Sequence, residues 1–213
     1  MHPSLPAHGL YAITDGPRAD LFDAAAAALR GGAVVLQYRD KTQDAPRRLA
    51  EALRLRALCT AACATFIVND DVALAHAVGA DGVHLGEGDE AIAAARARLG
   101  AEAIIGSSCY DSLARARQLA AAGADYLAFG AFHASPTKPV ARRADPGLLA
   151  AAKPLGLPLV AIGGITRDNA RALIDAGADF VAVISGVFAR TDIESAARDY
   201  AILFHKNLTS PPS

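Results

Sequence analysis

Four stretches of this chain share one grammar. Gly32-Ala33-Val34-Val35-Leu36, Gly79-Ala80-Asp81-Gly82-Val83, Gly123-Ala124-Asp125-Tyr126-Leu127 and Gly177-Ala178-Asp179-Phe180-Val181 each follow an alanine-rich helical run and lead into a short β-type run. The helical runs are LFDAAAAALR, DVALAHAV, LARARQLAAA and NARALIDA. A glycine just past a helix supplies the left-handed conformation that ends it, and a continuous apolar run fits a strand covered on both faces. The copies recur about every 45 to 55 residues, the length of two βα units, which marks a repeat architecture.

Filling the intervals yields eight predicted strands: Leu10–Thr14, Val34–Arg39, Thr65–Asn69, Gly82–Leu85, Ile104–Ser108, Tyr126–Phe129, Leu159–Ile162 and Phe180–Ile184. Eight helical stretches alternate with them, the last from about Ile193 to Leu203. Strict alternation points to a parallel sheet. Eight units close into a (βα)8 TIM barrel, and 213 residues leave about 27 per unit, so the barrel is compact with short loops. An open doubly wound sheet is the competing architecture, but the first strand is not followed by GxGxxG. The expected organisation is one barrel domain over residues 1–206 and a flexible tail, NLTSPPS, over 207–213.

Composition sharpens this. Of 213 residues 53% are hydrophobic, but 51 are alanine and none is tryptophan. Alanine adds little burial area and favours helix. It belongs in outer helices that pack closely on Val/Ile/Leu strands. A charged fraction of 20% with net charge -1 excludes a disordered acidic tail and a polybasic nucleic-acid binder. Three cysteines make no disulfide framework. The start, MHPSLPAHGLYAITD, lacks the basic-then-apolar pattern of a signal peptide, and no apolar stretch reaches the length of a membrane span. The expectation is a cytoplasmic protein with small-molecule substrates and neither a nucleic-acid nor a membrane partner; assembly into a homo-oligomer stays open.

In a barrel of this kind the chemistry sits at the carboxyl ends of the strands. The polar residues, which played no part in choosing the strands, fall there. Gln37, Arg39 and Lys41 alternate at the end of strand two and so share a face. Two cations and an amide suit a phosphate or diphosphate, and Lys138 adds a third cation from the loop after strand six. Asn69, Asp70 and Asp89 offer oxygen ligands nearby, and carboxylates beside a phosphate site point to Mg2+. Asp71 fits a helix cap better than a ligand, and Asp89 fits either role. Gly163-Gly164 and Ser185-Gly186 follow the last two strands, where backbone N–H groups of such barrels cradle phosphate. Ser135 and Thr137 add hydroxyls from the strand-six loop, and Ser107-Ser108-Cys109 ends strand five.

Other residues read as structural. Cys59 and Cys63, four apart, are expected to be buried packing residues of one helix face. Cys109 lacks an evident activating base. His84 is expected behind the site, and His133 is a candidate acid or base in the strand-six loop.

The ordered series LYAITD, QYRDK, FIVNDD, DGVHLGEGD, IGSS, FGAFHASPTKP, VAIGGIT and GADFVAVIS resembles the thiamine-phosphate synthase family from Leu10 to about Ser185. The resemblance implies a (βα)8 barrel that joins a hydroxymethylpyrimidine diphosphate to a hydroxyethylthiazole phosphate through a pyrimidine carbocation. It implies diphosphate binding by Arg39 and Lys41 with Gln37 and Asn69 beside them, and Mg2+ ligation by Asp70 and Asp89. It places Ser108 close to the leaving group and Lys138 on the diphosphate. Ser135, Thr137, Gly164, Ile184 and Ser185 fall where the family holds the thiazole phosphate. Two departures stand out: Glu87 replaces the more usual Gln, and His133-Ala134 occupies a place often held by a bulky residue and proline.

Two other readings compete. A thiazole tautomerase of the same barrel type would have no reason to keep Arg39, Lys41, Asp70, Asp89 and Lys138 together. A non-catalytic metabolite-binding barrel would tolerate loss of the carboxylates, and neither is lost.

Overall fold

The computed structural model describes residues 5–134 and 142–205. Eight strands, β1 (Gly9–Ile13), β2 (Ala33–Tyr38), β3 (Thr65–Asn69), β4 (Gly82–Leu85), β5 (Ile104–Tyr110), β6 (Tyr126–Phe129), β7 (Leu159–Ile162) and β8 (Phe180–Val183), pair in sequence order. The barrel closes where β1 pairs with β8 in parallel, Leu10 against Val181 and Ala12 against Val183. The helices are α1 (Leu21–Arg30), α2 (Ala45–Ala61), α3 (Val72–Val78), α4 (Ile92–Leu99), α5 (Leu113–Ala121), α6 (Gly147–Ala152), α7 (Arg167–Asp175), α8 (Ser185–Phe188) and α9 (Ile193–Ala201). The predicted strands match to within two residues at each end. The four-residue α8, between β8 and α9, adds a helix to the eight expected, because a single turn is too short to show a 3.6-residue period. The tail after His205 lies outside the described residues.

Alternation along the strands builds two cores. Leu10 and Ala12 of β1 and Val181 and Val183 of β8 face the helices. Tyr11, Ile13, Phe180 and Ala182 fill the barrel. The helix layer is tight because its contact residues are small. Ala52, Ala95, Ala116, Ala152, Ala170 and Ala197, on six different helices, are fully buried. A side chain added at Gly31 would sit 2.4 Å from the Glu194 carbonyl of α9 and 2.6 Å from the Ala197 Cβ.

The repeated Gly-Ala-Asp has a structural job at the opposite end from the rim. Gly79, Gly123 and Gly177 take φ of 61°, 93° and 114°, the left-handed side that glycine enters without cost. Each following aspartate then bonds the strand before it. Asp81 Oδ2 accepts from Phe66 N–H at 2.8 Å, Asp125 Oδ2 from Ile105 N–H at 2.7 Å, and Asp179 Oδ2 from Leu159 N–H at 2.8 Å. Each is also ion-paired, to Arg56, Arg96 and Lys153 respectively. In the first copy Val34 replaces the aspartate. There the β1–β2 register shifts, and Val34 covers Gly9, where a Cβ would come within 2.5 Å of it.

One packing expectation needs correction. Cys59 is buried, but Cys63 is exposed. Helix α2 ends at Ala61, and Cys63 follows with φ 54°, off the helix face that a four-residue spacing assumes. Cys109 is buried among the outward-facing residues of the barrel, and burial pushes its thiol up to about 12.

Candidate active site

Strand parity carries the polar rim. Beyond the inward-facing Val35 of β2 come Gln37, Arg39 and Lys41, all lining one cavity of about 610 Å3. The residues between them turn outward. Tyr38 Oη donates to Glu51 of α2 at 2.6 Å, and Asp40 pairs with Arg47 of α2 at 2.7 Å. Burial alone would raise the Asp40 carboxyl, but hydrogen bonds from Thr42 and Arg47 hold it below the ordinary carboxylate value. Thr14, fully buried at the end of β1, clasps the Arg39 backbone in both directions, at 2.8 and 3.1 Å. The Arg39 side chain lines the cavity and makes no ion pair among the described residues.

Asn69, Asp70, Asp89 and Ser108 line the same space. Asp70 sits at φ 62°, rare for a residue with a side chain, inside a three-residue turn closed by Asp71 N–H to Asn69 C=O at 2.7 Å. That turn sends the Asp70 carboxylate to Lys41 Nζ, while Asp71 caps α3 by accepting from Leu74 N–H at 2.9 Å. Asp89 caps no helix, since α4 starts at Ile92. Its carboxylate accepts from Gly86 N–H at 2.5 Å. Partial burial, and then the neighbouring Asp70 carboxylate, raise the Asp89 carboxyl above its ordinary value. Paired carboxylates are the kind of donor a hard cation uses when its remaining ligands are water and phosphate oxygens. Among the described residues no group of three or more His, Cys, Asp or Glu is placed to hold a metal.

Glu87 is turned to Arg142, its Oε2 3.1 Å from Nη2. Arg142 also lies over the Tyr110 ring at 5.1 Å. The extra carboxylate is therefore balanced by a cation of the same cavity wall. Arg142 escaped the sequence reading because it lies far along the chain from every strand end.

A second cavity, about 270 Å3, shares Ile162, Gly163, Ala182 and Ile184 with the first. Gly164, Ile184 and Ser185 line it, with Gly186 and Arg190. Gly164 is obligatory there. Its φ is 64°, and a Cβ would sit 2.4 Å from the Ala134 carbonyl oxygen. Arg190 is the one cationic side chain lining this cavity among the described residues. It was missed because it follows α8, a turn the pattern did not reveal. His133 lines neither cavity. Ser135, Thr137 and Lys138 lie outside the described residues.

His84, expected behind the site, bonds Ser108 and lines the larger cavity with it, but the two tyrosines of the cavity floor were not anticipated. His84 bridges Tyr126 Oη and Ser108 Oγ, each at 2.9 Å. Tyr11 and Tyr126 were visible in the sequence only as strand residues. Their meeting inside the barrel depends on closure of β1 on β8, which brings side chains of the unpaired strands β1 and β6 into one interior.

Fold and site together define a (βα)8 barrel of the kind that carries its chemistry at the strand ends, with a charged cavity adjoining a glycine-lined one. The family model for thiamine monophosphate synthase matches residues 10–187. The thiamine-phosphate synthase of Thioalkalivibrio sulfidiphilus is 58% identical over 200 residues, covering 92% of this chain and 95% of that one. The thiamine-phosphate synthase of Chromobacterium violaceum is 58% identical over 195 residues, covering 91% and 94%. A solved thiamine phosphate pyrophosphorylase from Pyrococcus furiosus superposes with a TM-score of 0.84 at 35% identity, covering 92% and 95%. A 3-hexulose-6-phosphate synthase, with a TM-score of 0.67 at 17% identity, shares the fold alone. The chain belongs to the thiamine-phosphate synthase family of transferases, and thiamine-phosphate synthesis is the function that membership gives it. The tautomerase alternative is not favoured. No helix among the described residues is long and apolar enough to cross a membrane.

Proposed function

We propose that this barrel couples hydroxymethylpyrimidine diphosphate to hydroxyethylthiazole phosphate by a dissociative substitution, with Mg2+ as its metal and the cytoplasm as its place of work. The observation that carries the reading is the adjoining pair of cavities, which share Ile162, Gly163, Ala182 and Ile184. One carries Arg39, Lys41 and a carboxylate pair for a diphosphate and its metal; the other is glycine-lined for a single phosphate. The reacting rings meet at the shared wall.

The C–O bond to diphosphate breaks first, and its electron pair leaves with the diphosphate. Arg39, Lys41 and Ser108 meet the charge that grows on the leaving oxygens, with Gln37 and Asn69 holding the group in place. Asp70 and Asp89 would hold Mg2+, which when bound supplies further positive charge to the diphosphate oxygens. The walls around the pyrimidine are apolar, Ile13, Ala128 and Val160 among them, and keep water from the cation. The thiazole, its phosphate held by Gly164, Ser185 and Ile184, then delivers its ring-nitrogen lone pair to the carbon. Ser135, Thr137 and Lys138 enter this proposal through the family resemblance alone.

The test mixes both phosphorylated precursors with protein and Mg2+ and follows thiamine phosphate by fluorescence after oxidation. Product dependent on all three components is expected. No product from folded protein with verified substrates would sink the reading.

A further inference from the structure

Five polar side chains from five strands form one hydrogen-bonded chain across the cavity floor. Gln37 Nε2 donates to Tyr11 Oη at 2.8 Å, and Tyr11 Oη lies 2.8 Å from Tyr126 Oη. Tyr126 Oη lies 2.9 Å from His84 Nδ1, and His84 Nε2 lies 2.9 Å from Ser108 Oγ. The barrel is built to admit this chain. A Cβ at Gly106, the inward position between Ile104 and Ser108, would fall 1.8 Å from Tyr126 Cζ, and the Tyr126 ring stacks on His84 at 5.6 Å.

The chain has a direction. Tyr11 and Tyr126 are 1% and 0% exposed, and burial holds both phenols protonated. Each hydroxyl therefore carries a single proton. An amide nitrogen only donates, so Tyr11 accepts from Gln37 and spends its proton on Tyr126. Tyr126 then spends its own on His84 Nδ1. In the neutral ring the hydrogen is left on Nε2, which donates it to Ser108 Oγ. The Ser108 proton has no acceptor within the chain, and Ser108 lines the larger cavity.

We propose that Tyr11 and Tyr126 are positioning residues that fix His84 in its Nε2–H tautomer and so make Ser108 a hydrogen donor to an anionic oxygen in the larger cavity. That the oxygen belongs to a diphosphate rests on the reading above. A phosphate oxygen only accepts. Reversed polarity would turn the serine lone pairs toward it.

The test reads tautomer and binding separately. In substrate-free protein with 15N-labelled histidine, His84, assigned by its loss in His84→Asn, should show an unprotonated Nδ1 and a protonated Nε2. Gln37→Glu places an acceptor-only carboxylate at the head of the chain and should move the hydrogen to Nδ1. Tyr126→Phe should abolish the preference and weaken binding of inorganic diphosphate with Mg2+, by calorimetry, about tenfold. An Nδ1–H tautomer in the unaltered protein, or one unmoved in folded Gln37→Glu, overturns the proposal. Because the tautomer is read without substrate, failure of the synthase assay leaves this result standing, and the reverse also holds.

Discussion

The carboxylates of Asp70 and Asp89 stand against each other at the barrel mouth, the first held by Lys41 Nζ and the second by the Gly86 N–H. The backbone of Asp70 takes a φ of 62° at this point. Strain retained at such a point is stabilisation the protein forgoes for a site.

Asp70→Gly separates the two contributions. Glycine takes the left-handed turn freely, so the melting temperature should hold or rise, by the equivalent of about 1 kcal/mol. Turnover should fall at least about 100-fold, because the proposed Mg2+ site loses one of its two carboxylates. Paired melting curves and product assays check this. A variant that keeps full turnover at low Mg2+ would exclude Asp70 as a ligand.

Arg190→Ala should act on one substrate only. The smaller cavity loses its cationic side chain. KM for the thiazole phosphate should rise about tenfold, while KM for the pyrimidine diphosphate stays within about threefold. Steady-state kinetics with each substrate varied in turn decides it.

Glu87→Gln should change little. The Glu87–Arg142 pair is about half exposed on both sides, 51% and 56%. Such pairs contribute little. Turnover and Mg2+ dependence are expected to stay within about threefold of the parent. A large loss would show that the carboxylate has work beyond its partner.

At the other end of the barrel, Asp81→Ala should cost about 1–3 kcal/mol, since Phe66 N–H and Arg56 both lose their acceptor. Asp81→Asn keeps a hydrogen-bond acceptor and should recover part of the loss. Urea unfolding of the three proteins tests the clamp with activity unaffected at saturating substrate.

Alkaline stability carries a signature of the buried thiols. Burial raises Cys59 and Cys109 from 9.0 to about 12. The unfolded chain therefore releases these protons first. Stability from this source is intact below pH 9 and declines as pH rises toward 12, by at most about 1.4 kcal/mol per pH unit for each thiol. Cys109→Ala should show a shallower decline over that interval than the parent. Parallel curves would refute the assignment.

Much of the molecule was legible in the chain. The Gly-Ala-Asp copies marked the helix-to-strand joins, and all eight strands fell where the apolar runs stand, because a strand covered on both faces keeps a near-continuous apolar run. Strand parity alone puts Gln37, Arg39 and Lys41 on one face. Their neighbours Tyr38 and Asp40 do turn to Glu51 and Arg47. Cys63 misled because a spacing of four means a shared face only while the helix lasts.

The sequence alone determined the repeat, the strands and the rim, since each is a local pattern of period, turn residue and charge. The tertiary structure decided what those residues touch. It joined Tyr11 of β1 to Tyr126 of β6, turned Glu87 to Arg142, brought Arg190 to the glycine-lined cavity and set Asp70 against Asp89. These are contacts between segments distant along the chain, made only when barrel closure brings separate strand ends into one space. No local period encodes them.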